Sequence, residues 1–129
     1  FLQRLFGAQG AWRYLSDYID PQQRGDYLLK PTNVPLQPQL ASHYPVTDEL
    51  TLSAIPVHHG PIAAVAWRVD VAGCAITFSG DMSNRYQTLA MLARGSDLLV
   101  MHNAIPEGAT GVARRLHMPP SEIGRIAAR

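Results

Sequence analysis

Two histidines and an aspartate stand where a sheet would bring them to one edge. His58 and His59 close an apolar, strand-like run, and Asp81 follows a second such run directly after Ser79 and Gly80. Imidazole nitrogens and carboxylate oxygens are ligands for zinc and similar cations at hydrolytic centres. Neighbouring residues of a strand point to opposite faces, so His58 and His59 are not expected to bind the same ion. The pattern predicts part of a metal site.

Two further histidines lie at comparable positions, next to the ends of predicted elements. His102 follows the apolar run that ends at Met101, and His117 precedes the last predicted helix. In layered α/β architectures, side chains at strand ends and in the following loops project to one rim, where sites are built. The remaining histidine, His43, lies in a proline-rich stretch and is interpreted as a surface residue.

Each rim group also has a purely structural interpretation. A histidine after a strand is often a hydrogen-bonding residue that binds no ion. Asp81 could cap the helix that follows it, because an aspartate side chain accepts backbone N–H bonds at that position. The residue types alone leave both interpretations open.

The predicted strands and helices that carry these residues indicate an α/β fold. They form a single, partial domain over residues 1–129. Residues 1–49 are predicted to be helical and then proline-rich, with a helix over 1–19 that Gly7 and Gly10 weaken. Residues 50–129 are predicted to hold the sheet, the Asp81 loop and the remaining helices. The predicted strands are 50–55, 62–71, 75–78 and 98–101, and the predicted helices are 84–94 and one N-capped by Ser121.

Composition excludes several classes of protein. Apolar residues make up 47% of the 129 residues and charged residues 16%, which allows a packed core. Net charge is +1 with no basic stripe, so nucleic acid is not expected as a partner. No apolar run approaches the roughly 18 residues of a membrane span, and no membrane partner is expected. Cys74 is the single cysteine, and its apolar surroundings predict a buried, inert thiol.

Five motifs in order resemble the second half of metallo-β-lactamase-fold hydrolases, in particular the ribonuclease Z and arylsulfatase-like branch. The match covers about residues 50–129 and implies a portion of an αββα sandwich with helices on its outer faces. The motifs are Val57-His58-His59-Gly60, Ala66-Trp67-Arg68-Val69, Thr77-Phe78-Ser79-Gly80-Asp81, Asp97-Leu98-Leu99-Val100-Met101-His102 and His117 before a helix.

The resemblance implies a role for the rim residues. His59, the histidine that precedes glycine, would be a metal ligand, with His58 as the alternative. Asp81 would bridge two zinc ions, or two other divalent ions, and hold the attacking water between them. His117 would protonate a leaving group or steady a developing oxyanion.

The sequence departs from the family's motifs at three places. His102 matches the first residue of a His-Glu-Ala-Thr motif. By this resemblance His102 and Asn103 would contact the metal ligands and not the metal itself. Asn103 replaces the glutamate and cannot supply its negative charge. Met82 replaces the threonine after Gly-Asp, and Met118 replaces the serine of a His-Ser-Thr motif.

The family's His-x-His-x-Asp-His motif is absent from this sequence, and the final histidine ligand is expected beyond Arg129. We therefore expect an incomplete, inactive portion of a larger hydrolase. The parent protein is expected to use metal-activated water on an ester-type bond of a small-molecule substrate: a phosphodiester, a lactone or a sulfate ester. The short connection from Arg68 to Asp81 leaves no room for a tRNA-gripping arm.

Two other interpretations compete with the hydrolase. A non-catalytic fragment or fold member could act as a binding or self-associating module, because half a sandwich leaves apolar faces and strand edges open. It would form a homodimer or exchange segments with a second copy. The other is a plain α/β binding module, in which the histidines only form hydrogen bonds within loops. It predicts no metal at all.

Overall fold

The computed structural model describes residues 2–20, 29, 32–37 and 40–129. The backbone contacts divide the chain into two compact units, Phe1–Asn33 and Val34–Arg129. All the predicted rim residues belong to the second unit.

The first unit is less regular than the predicted helix over residues 1–19. Helix α1 covers Leu2–Phe6, and a 3₁₀ helix covers Arg13–Ile19 with non-helical torsions at Leu15. Between them the backbone closes on itself through a hydrogen bond from the Gly10 amide to the Gly7 carbonyl (2.7 Å). A Cβ at residue 10 would collide with the Leu5 carbonyl, so this turn requires glycine. Glycine therefore ends the helix instead of merely weakening it.

The second unit is built on a five-stranded sheet, which together with its helices confirms the predicted α/β class. The spatial order is the chain order; β1 to β4 pair antiparallel, and β5 pairs parallel to β4. Ala72 and Gly73 both have positive φ, as a two-residue hairpin turn between β3 and β4 requires. The strands are β1 (Ser42–Thr47), β2 (Leu50–His59), β3 (Ile62–Val71), β4 (Cys74–Phe78) and β5 (Leu98–Val100).

Short helices follow the strands. The predicted helix over 84–94 is divided, because Gln87 adopts a left-handed conformation (φ 55°) between a 3₁₀ helix at Asn84–Tyr86 and helix α2 at Leu89–Ala93. Helix α3 (Gly111–Leu116) was not predicted, and α4 covers Pro120–Ala127. None of the described helices is long and apolar enough to cross a membrane.

The predicted N-cap of the last helix is wrong in detail. Pro119 occupies the N-cap position of α4, and the Ser121 side chain caps nothing. Instead the carboxylate of Glu107 accepts hydrogen bonds from the Ser121 amide (2.8 Å) and the Ser121 hydroxyl. These bonds, the hydroxyl's first, lower the pKa of Glu107. A carboxylate from another segment thus satisfies the first turn of α4.

The hydrophobic core lies between one face of the sheet and the helices. Alternate residues of β2 and β3 face this core, including Ile55, Val57 and Ala66, while His59 ends the same row. The helices and loops contribute the remaining fully buried side chains, which are Met82, Leu89, Leu92, Met118 and Ile126. The core therefore lies directly beside the strand ends that carry the rim residues.

The opposite face of the sheet, up to the row of Ala54 and Trp67, carries no Asp, Glu, Lys or Arg side chain among the described residues, and His58 lies further along it. We call it the uncharged sheet face and define it by the cross-strand rows Tyr44, Leu52, Val69, Ile76, Leu98 and Ala54, Trp67, Phe78, Val100, with Val71 and Cys74 at one end. Several of these residues are open to solvent: Phe78 is 41% exposed, Leu98 52% and Val100 42%. Cys74 is also exposed, so the prediction of a buried thiol is wrong. Cys74, Ile76 and Phe78 of β4 lie on the open face, whereas Ala75 and Thr77 are buried on the core face.

Arg68 ties the core face of β3 to the end of α2. Its Nε approaches both carboxylate oxygens of Asp70 (2.9 and 3.0 Å), which fixes the direction of the guanidinium. Its Nη1 then donates to the carbonyls of Leu92 (3.2 Å) and Arg94 (2.8 Å) and to the Ser96 hydroxyl (3.2 Å). One side chain thereby satisfies the carbonyls at which α2 ends.

We predict that Arg68→Met lowers the free energy of unfolding by about 1–3 kcal/mol, because helix carbonyls and Asp70 lose their partner. Urea unfolding followed by circular dichroism measures the change. Arg94→Met is the matched control, since the exposed Arg94 contributes only its carbonyl to this network. Equal destabilisation by both variants would contradict the assigned role of Arg68.

Candidate metal centre

Three of the predicted rim residues meet in space. Asp81, His102 and His117 each offer a ligand atom, and these atoms all lie within 4.8 Å of one another. The residues come from the loop after β4, the segment after β5 and the segment between α3 and α4. We call these three residues the Asp81 trio.

Ser79 positions the aspartate. Its side chain is fully buried, and its amide donates to the Val100 carbonyl (2.9 Å), which continues the pairing of β4 with β5. Its hydroxyl donates to the Gly80 carbonyl (2.8 Å) and accepts from the His102 amide (3.0 Å). Gly80 has φ 61°, a conformation that glycine adopts without strain, and the turn brings Asp81 towards His102.

Asp81 and His102 are in direct contact. Nδ1 of His102 pairs with Oδ1 of Asp81, and the two side chains are about half exposed, at 43% and 53% respectively. Asp81 therefore interacts with a histidine and does not cap a helix; the 3₁₀ helix that follows begins after Ser83. A carboxylate oxygen and an imidazole nitrogen close to each other are also ligand atoms that a zinc ion can bind.

His117 lies between two other imidazoles. Its ring centroid is 5.1 Å from that of His59 and 5.5 Å from that of His102, both with edge-on geometry. Its amide donates to the Ala113 carbonyl (2.9 Å), which holds it at the end of α3. Within the described part of the chain, its Nδ1 is buried and has no hydrogen-bond partner. A buried imidazole nitrogen without a partner is costly unless something else, such as an ion, satisfies it.

His59 flanks the Asp81 trio without being a member of it. Its Nδ1 donates to the Leu116 carbonyl (3.1 Å), which leaves Nε2 as the acceptor in the neutral ring. Gly60 has φ 62°, and a Cβ there would lie 2.5 Å from Cδ2 of Leu116. The glycine after His59 is therefore required for β2 to approach α3.

The remaining candidates lie elsewhere. His58 is on the other face of β2, where its Nδ1 lies 2.7 Å from the Ser83 hydroxyl. Asn103 is exposed beside His102 and is not a member of the trio. His43 is exposed, as expected of a surface residue, and bonds Ser53 at 2.8 Å. Strand alternation thus separates His58 from His59, as the sequence predicts.

Sequence reasoning overlooked the residues beneath the site. Met82 and Met118 follow Asp81 and His117 directly, and both are buried in the core, at 2% and 0% exposure. They anchor the two site residues to the hydrophobic interior, which gives a physical reason for an apolar residue at these positions. The supporting role of Ser79 had a weak signal: a small polar residue at the end of an apolar strand, before glycine.

Comparison with protein-family models, with curated proteins and with solved structures finds no significant match to this chain.

We predict that Ser79→Ala lowers the free energy of unfolding by about 1–2 kcal/mol, because the His102 amide loses its acceptor beside a buried position. Thermal and urea unfolding measure the change. Ser42→Ala in β1 is the control, since no hydrogen bond of the Ser42 hydroxyl is found among the described residues. A Ser79→Ala protein as stable as the Ser42→Ala protein would contradict the assigned role.

Proposed function

We propose that this protein is a metal-dependent hydrolase of the metallo-β-lactamase superfamily whose zinc site is the Asp81 trio, flanked by His59. The observation that carries the proposal is the convergence of one carboxylate and two imidazoles from three separate segments. The ordered motifs of the sequence favour the same family. The substrates proposed are esters: phosphodiesters, lactones or sulfate esters.

The donor set fits zinc. Nitrogen and oxygen ligands at about 2.0–2.1 Å in a tetrahedral site lie roughly 3.3 Å from one another. The ligand atoms of the trio lie within 4.8 Å, so closure requires movements of about 1.5 Å at most. Asp81 and His102 are exposed and can rotate to make them. His117 supplies a buried nitrogen that has no other partner among the described residues.

This grouping assigns His117 and His102 as ligands, whereas the resemblance implies proton transfer for His117 and a supporting role for His102. It keeps Asp81 as a ligand. His59, held by the Leu116 carbonyl with Nε2 left as an acceptor, is proposed as a further donor for the same ion or a second one. Zinc bound there would lower the pKa of a bound water towards about 7 and polarise the ester. The trio itself would hold the ion and orient the bond to be cleaved.

We predict that the purified protein binds at least one equivalent of zinc, measured by isothermal titration calorimetry after chelation. Asp81→Ala, His102→Ala and His117→Ala should each weaken zinc binding by at least about 100-fold, because each removes a ligand. His59→Ala should weaken it by about 10- to 100-fold or more, as expected for a supporting residue or an outlying donor.

His43→Ala is the matched control, because His43 is a histidine of the same unit whose ring bonds Ser53 and no other described residue. Its zinc affinity should equal that of the wild type. The proposal is wrong if the wild type binds less than one equivalent, or if His43→Ala lowers the affinity as much as the trio variants do.

A second candidate function, self-association, is favoured by the uncharged sheet face. The five strands hold 34 residues, and about 3.3 Å by 4.8 Å for each residue gives this face a flat area of about 540 Å². A standard interface takes about 800 Å² from each partner, so two copies packed face to face would form a weak dimer. The absence of charge on the face favours a second, equally apolar face as its partner.

We predict concentration-dependent dimerisation in sedimentation velocity, with a Kd on the order of micromolar. Leu98→Lys with Phe78→Lys should abolish it, because both side chains are exposed on this face. Val112→Lys on α3, also at an exposed apolar residue, should leave the dimer intact. A protein that stays monomeric at all concentrations would refute the candidate.

A further inference from the structure

A small cleft of about 290 Å³ opens beside His58. Its walls come from the end of β2, the 3₁₀ helix after Asp81, helix α3 and helix α4. The lining residues are His58, Ser83, Asn84, Arg85, Arg114, Arg115 and Glu122. None of the roles proposed above uses this cleft.

The cleft is positively charged. It is lined by three arginines and one acidic residue, Glu122, whose carboxylate is occupied by Arg114 at 2.8 Å. Arg85 and Arg115 are exposed, and no hydrogen bond or ion pair of their side chains is found among the described residues. Two guanidinium groups therefore remain free to bind an anion, and guanidinium binds phosphate, sulfate and carboxylate groups through paired N–H donors.

The base of the cleft is ordered. Ser83 is buried at 5% exposure, and its amide donates to the His58 carbonyl (2.7 Å). The Ser83 hydroxyl lies 2.7 Å from Nδ1 of His58, and the Tyr86 ring packs against the same imidazole in a T-shaped arrangement, with 5.3 Å between centroids. These contacts fix the imidazole, so a polar ring and a hydroxyl lie beside the two free arginines without having to be ordered on binding.

Residues of the cleft neighbour rim residues at three points of the chain. His58 adjoins His59, Ser83 is two residues after Asp81, and Arg115 is two residues before His117. Successive Cα atoms lie about 3.8 Å apart, so the Cα atoms of each pair are at most about 8 Å apart. The same segments therefore carry the cleft and the candidate metal centre, with His58 and His59 on opposite faces of β2.

We infer that this cleft binds an acidic group, a phosphate, sulfate or carboxylate, of a small molecule. The inference is independent of the proposed function, because none of the trio residues lines the cleft. The volume is at the lower end of small-molecule sites, which favours one acidic group over a polymer strand.

The test uses metal-free protein, so that the cleft is probed apart from the metal centre. Inorganic phosphate, sulfate and acetate are each titrated at constant ionic strength, and binding is measured by calorimetry and by the shifts of backbone amide resonances around Ser83. We expect binding of at least one of them, weakened about 10-fold or more in the Arg85→Gln, Arg115→Gln double variant. Arg94→Gln, at an exposed arginine outside the cleft, is the control and should bind as the wild type does.

Zinc affinity of the double variant should remain that of the wild type. No binding of any of the three anions to the wild type, or equal weakening in Arg94→Gln, would overturn the inference. Failure of zinc to bind the wild type would overturn the proposed function. The anion titrations would still test whether the cleft binds an acidic group.

Discussion

The parallel pairing of β5 with β4 is the constraint on which the candidate site depends. Parallel neighbours require a crossover between them, and here that connection carries Asp81, the divided helix and Arg68's partners at the end of α2. Ser79 secures the pairing at the point where the strands end, because its amide and hydroxyl together bind the Val100 carbonyl and the His102 amide. Asp81 and His102, distant in sequence, consequently leave the sheet side by side.

The two sides of β2 divide the histidines between two environments. His59 continues the core-facing row and adjoins His117, whereas His58 faces the cleft with the free arginines. The separation follows from the two-residue period of a strand and needs no special geometry. Gly60 then allows β2 to approach Leu116, which brings the end of α3 and His117 into place.

The site is joined to the core by the residues that follow its ligands. Met82 and Met118 each remove a large apolar side chain from water, a burial worth about 1.5–3 kcal/mol per side chain. Each burial holds the neighbouring polar residue at the rim of the core. Nδ1 of His117 has no partner among the described residues, and leaving it so costs a similar amount, about 1–3 kcal/mol. The packing therefore stabilises a polar arrangement that would not form by itself.

Much of the second unit could be predicted from the sequence. Alternation and turn residues determined the strands 62–71 and 75–78 to within a residue, the separation of His58 from His59, and the positions of the polar residues at strand ends, because these depend on local periodicity. Tertiary structure alone decided that Asp81 lies with His102 and His117 while His59 stands beside them. It also decided that Glu107 satisfies the start of α4, that Cys74 is exposed, and that arginines from two segments share a cleft. These outcomes depend on contacts between residues far apart in the chain, and local patterns carry no information about which distant side chains meet.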